Sequence, residues 1–103
     1  MKKIYISQFQ TNEECALPIV HIEHVFNDLD KAKTWLERNR GEVENKTSHY
    51  FKNSENKWID VELIEEYSNP QIHIVRALTY KWVHTESGET MYSHFKILEY
   101  DVE

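Results

Sequence analysis

The chain has 103 residues, a formal net charge of −6, 13% aromatic residues, two glycines, two prolines and one cysteine. That length supports one modest core and one domain over 1–103, and the acidity gives no general attraction for a phosphate backbone, which sets direct nucleic-acid binding aside. The lone Cys15 excludes an intrachain disulfide and a cysteine-based metal site, and no apolar run approaches the length of a membrane span.

Lys3–Phe9 reads as a first strand. The apolar part of this run is too short for a secretion signal, so a cytosolic protein is expected. Gln10 to Leu17 is a polar connection closed by Pro18. Cys15 sits there beside Glu13 and Glu14, whose charges disfavour a thiolate nucleophile. Ile19–Phe26 reads as a second strand, paired with the first as a long-looped hairpin. His21 and His24 invite a metal reading, but i and i+3 on a regular strand point to opposite faces.

A helix over about 28–40 follows. Asn27 is its expected N-cap, with Asp30 at the acidic position of a capping box. Asp28 and Asp30 complement the positive end of the helix dipole, and Arg38 and Arg40 the negative end. Gly41 stands where a left-handed terminating residue is wanted. Leu29, Ala32 and Leu36 share one face, with Trp35 on its flank. So short a helix is not stable alone and must dock on the strands.

Residues 47–52 read as a strand and 53–56 as a turn. Over 58–65, Ile59, Val61 and Leu63 alternate with Asp60 and Glu62, which favours a strand; a short helix over 58–66 is the competing reading. After a turn at Ser68-Asn69-Pro70, residues 71–84 form a long strand with Ile72, Ile74, Leu78, Tyr80 and Trp82 in one register. Its length calls for strong twist or a bulge. A hairpin loop containing Gly88 leads to a last strand over 91–102. There Tyr92, Leu98, Tyr100 and Val102 share one parity and Phe95 and Ile97 the other, which predicts a second bulge near Phe95. The expected fold is α+β, in the order β-β-α-β-β-β-β. It is a mainly antiparallel twisted sheet of five to six strands with one helix on one face.

The chain has no glycine-rich phosphate loop, GxSxG, HExxH or CxxC motif. No catalytic residue, metal site or cofactor is therefore expected. His84 and His94 flank the last hairpin and are placed to face each other across it, as a solvated pair or as a site. The negative charge falls after the helix, −4 over 42–67 and −2 over 68–103, with 1–41 balanced. Asp60, Glu62, Glu65 and Glu66 form an acidic run that reads either as edge protection or as a protein-binding surface. A sheet covered on one face also leaves aromatics for the other. Trp82 and Tyr92 are the candidates there for partner docking or dimerisation, with burial in the core as the alternative.

The run Val25–Leu36, preceded by Lys3–Ser7, resembles the opening of small uncharacterised proteins of bacteriophages and low-GC Gram-positive bacteria, in which a strand pair leads into a VF-x-x-x-x-KA helix. The resemblance implies a small accessory protein with no catalytic residues to carry over, and inhibition of a host defence protein as its job. The leading expectation is thus a small acidic non-catalytic binding protein that engages a partner protein through Asp60, Glu62, Glu65, Glu66, Trp82 and Tyr92. In one version its carboxylates occupy the basic groove of a nucleic-acid-binding defence protein. The alternative is a protein that binds or sequesters a nucleotide with Arg76, Lys81, Trp82 and Tyr92, and an enzyme built on His84 and His94 stands third.

Overall fold

The computed structural model describes residues 2–13, 19–45, 60–84 and 87–102. Strands β1 (Lys2–Glu13) and β2 (Ile19–Phe26) lead into helix α1 (Leu29–Glu44), followed by β3 (Asp60–Asn69), a 3-10 turn (Pro70–Ile72), β4 (Ile74–Val83) and β5 (Thr90–Val102). The strands form one sheet in the order β2-β1-β5-β4-β3, every neighbour antiparallel. The α+β architecture and the bounds of β2 agree with the sequence reading. Residues 60–69 are strand, as period-two alternation requires, and not the competing helix. The strand expected over 47–52 lies outside the described residues.

The helix is shifted from its expected bounds at both ends. Asp28, not Asn27, is the N-cap, its Oδ1 accepting the Asp30 backbone N–H at 2.9 Å. At the other end Gly41 lies inside the helix, which continues one turn to Glu44 with Asn45 as C-cap. Burying Val43 explains the extension: its side chain is enclosed in the same core as Ala32, Trp35 and Leu36. That packing outweighs the modest cost of an interior glycine.

The pairing register defines two faces. Tyr5, Ser7, Phe9 and Thr11 of β1 lie level with Glu99, Ile97, Phe95 and Ser93 of β5. On β4, Leu78, Tyr80 and Trp82 lie level with Phe95, Ser93 and Met91. This is the face α1 covers, and its side chains with those of α1 form the core. Trp35 is a full member, edge-on to Phe95 with ring centroids 6.2 Å apart. Small side chains make room for the large ones. Ser93 is fully enclosed, and its Oγ accepts the Trp82 indole N–H at 2.8 Å.

The expected bulge near Phe95 is not there: β5 pairs with β1 over twelve consecutive positions without a shift. The irregularity sits on β4, between Ile74 and Arg76. It moves Ile74 out of the register of Leu78, Tyr80 and Trp82 and onto the opposite face, level with Leu98. Ile72, expected in the same strand, is exposed in the 3-10 turn. The strand cannot begin earlier because His73 takes a left-handed conformation with φ of 66°. The His73 ring is held by stacking on Tyr100 at 4.7 Å.

One charged cluster ties the helix to the sheet. Arg40 Nη2 donates to Glu66 Oε1 at 2.7 Å, and Arg76 binds the same oxygen. The Arg40 hydrogen bond, reinforced by Arg76, holds the Glu66 carboxyl below its usual range.

Candidate functional site

The second face of the sheet has no helix over it among the described residues, and its side chains fall into rows set by the register. Val25, Ile6, Leu98 and Ile74 make an apolar row across four strands. Ile4 and Tyr100 extend it toward the chain termini. The next row runs Ile22, Gln8, Lys96, Ala77, Tyr67, and the one after it Val20, Gln10, His94, Thr79, Glu65. Beyond these, Tyr92, Lys81 and Glu62 stand level, and the backbone of Asp60 lies one position further, opposite Val83. The face thus grades from an apolar end on β2, β1 and β5 to a carboxylate corner on β3.

The apolar end is open to solvent: Val20 is 52% exposed, Ile22 65% and Val25 61%. Three large aliphatics of one edge strand standing clear of any core are unusual enough to mark an interaction surface. Ala77 and Thr79 are buried on the same face because they are short and stand between taller cross-strand neighbours.

The residues expected to bind a partner divide. Glu62, Glu65 and Tyr92 lie on the open face, where the register also places Asp60. Glu66 does not: the shift between Leu63 and Glu65 returns it to the helix side, where the two arginines hold it. Trp82 is 1% exposed in the core and contributes no surface. The apolar row is what the sequence reading missed. Its signal was present in the exposed parity of β2, Val20 and Ile22, but the placement of Val25 needed the bulge.

That bulge also corrects the reading of the histidines. The register of β2 against β1 shifts at Glu23, so His21 stands level with Phe9 and His24 with Ser7, both on the helix side. His84 and His94 do not face each other. The backbone of His84 pairs with Glu89, whereas His94 stands level with Thr79.

Thr79 Oγ1 and His94 Nδ1 are 3.0 Å apart. Burial, and the neighbouring Lys96 charge, push the His94 pKa below its ordinary value, with Glu65 opposing in part. Glu65, Thr79 and His94 sit on three adjacent strands in that order. An acyl-transfer triad needs the imidazole between hydroxyl and carboxylate; here the hydroxyl is in the middle, and it is buried. Among the described residues no group of three or more His, Cys, Asp or Glu side chains is arranged to hold a metal ion.

The nucleotide pocket expected from Arg76, Lys81, Trp82 and Tyr92 is not assembled. Arg76 is on the helix side with Glu66, Trp82 is in the core, and Lys81 and Tyr92 are on the open face. A different concavity, of about 440 Å³, lies between β2 and α1, with His24 and Phe26 on one wall and Lys31, Trp35 and Arg38 on the other.

Compared with protein-family models, curated proteins and solved structures, the chain matches none. Among the described residues no helix is long and apolar enough to cross a membrane.

Proposed function

We propose that this protein is a non-catalytic binding module that docks a partner protein on the open face of its sheet. The observation that carries the reading is the row of exposed aliphatics, Val20, Ile22 and Val25, continuous with Ile6 and Leu98 and ending at the carboxylates of β3. Removing such a surface from water is favourable by about 25 cal/mol per Å² of apolar area. Glu62 and Glu65 then select for sign. The complementary partner has an apolar patch bordered by lysine or arginine, as nucleic-acid-binding proteins commonly present. A phage accessory protein acting on a basic defence protein, the role implied by the resemblance of the strand–helix opening, fits that description.

The test is affinity capture from a bacterial lysate with three baits: the wild type, Val20→Glu/Val25→Glu and Glu62→Gln/Glu65→Gln. The reading predicts a basic protein retained by the wild type, lost with the first variant, and held by the second with a weaker dependence on salt. Identical proteins retained by all three baits would refute it.

A further inference from the structure

The groove between β2 and α1 is a second site, on the opposite side of the sheet from the docking face. Lys31 and Arg38, which line the groove, make no ion pair among the described residues, whereas Lys3 is paired with Glu99, and Arg40 and Arg76 share Glu66. Two cations on one wall of a groove give it a local positive field within a chain of net charge −6.

They stand seven residues apart on one face of α1, so about 10 Å separates them along the axis. Between them the groove is mainly ring and hydroxyl: Trp35 and Thr34 on the helix, Phe26 on the strand. His24 stands two residues before Phe26 in unbroken register, so both side chains share the helix side, and the His24 ring lines the groove 5.5 Å from the Phe26 ring.

The chain enters α1 through Asn27 and Asp28, and the helix runs back beside β2. Phe26 therefore lies toward the Asp30 end and His24 toward the Arg38 end. Asp30 repels an anion from the first end. At the other, Arg38 and His24 both line the groove, and no carboxylate lines it there.

We propose that this groove binds a small aromatic anion, a ring carrying a phosphate as in a nucleoside monophosphate. The flat ring lies against Phe26, with the small exposed part of the otherwise buried Trp35 beneath it, and the phosphate is held by Arg38 and His24, with Lys31 adding attraction. Planar guanidinium suits a phosphate bidentately, and the ring contact supplies the apolar share of the affinity. This site uses none of the residues of the docking face, so either reading can fail alone.

The test is isothermal calorimetry with adenosine monophosphate, phenyl phosphate, adenosine and inorganic phosphate, on the wild type, Arg38→Gln and Lys31→Gln. Both variants change exposed side chains of good helix formers, and circular dichroism checks that they fold. The expected result is binding of the two ring phosphates, with adenosine and inorganic phosphate each about tenfold weaker or more, and a loss of about tenfold on Arg38→Gln. Lys31→Gln is expected to weaken binding less than Arg38→Gln does. Trp35 fluorescence should respond to the ring phosphates. No binding by either ring phosphate overturns the proposal, as does binding unchanged in Arg38→Gln or inorganic phosphate alone binding as tightly as the ring compounds.

Discussion

Leu36→Ala tests whether α1 is held by its packing on the sheet. Leu36 is 2% exposed and belongs to the core shared by α1, β1, β4 and β5. The substitution removes three carbons, worth about 2.4 kcal/mol at about 0.8 kcal/mol each in transfer terms. A cavity that relaxes only partly brings the total to about 3–5 kcal/mol. A domain of this size has about 5–15 kcal/mol to lose, so the urea midpoint should fall by a large fraction, with Tm lower by 10 °C or more, on the order of 4–8 °C per kcal/mol. The assay is urea denaturation followed by far-ultraviolet circular dichroism, with Lys33→Ala on the exposed side as the control, expected to change stability by less than about 0.5 kcal/mol. A loss under about 1 kcal/mol for Leu36→Ala with an unchanged denaturant slope would refute the packing argument.

The helix bounds make a second prediction in the same assay: Asp28→Ala costs about 0.5–2 kcal/mol while Asn27→Ala is nearly neutral. Gly41→Ala should stabilise by about 0.5–1 kcal/mol, because a Cβ there meets nothing nearer than Asn45 Nδ2 at 3.9 Å. His94 is a base whose folded pKa is depressed below 6.5, so the unfolded chain takes up a proton that the folded one resists. Stability should therefore fall as pH drops below 6.5, and His94→Gln should flatten that part of a midpoint-against-pH curve. Burial, with Glu44 nearby, pushes the Tyr80 phenol up to about 12. One tyrosine should thus ionise late in an ultraviolet difference titration and vanish from it in Tyr80→Phe. The stability this phenol contributes is complete below pH 10 and declines as pH rises toward 12.

Periodicity and turn chemistry carried much of the fold in the sequence. Ile19–Phe26 shows its strand by β-branched content and by Pro18 before it, and Leu29, Ala32 and Leu36 show the docked face of α1 by spacing alone. What escaped was decided by tertiary packing or by an extra residue in a ladder. Gly41 looked like a helix stop, but enclosing Val43 carried the helix through it. Glu23, the residue between Leu63 and Glu65, and the residue between Ile74 and Arg76 each break a period-two register, and each break transfers a residue between faces. His21 and His24, expected on opposite faces, share one for that reason, and Glu66 and Ile74 change face for it too, since a bulge has little signature in local composition. Trp82 was ambiguous for another reason: an indole is equally at home in a core or an interface, and the enclosed Ser93 hydroxyl level with its neighbour Tyr80 decided for the core.

The claim on which the functional account rests is that one face of the sheet is left bare for a partner. Photochemical carbene labelling of the dilute protein, alone and after addition of a bacterial lysate, tests it directly. The account predicts strong labelling of Val20, Ile22 and Val25 in the isolated protein and none of Leu78 or Tyr80. It further predicts protection of those aliphatics in the lysate, with the exposed side of α1 unchanged. Labelling of Val20, Ile22 and Val25 that is weak from the outset, or equal with and without lysate, would contradict it.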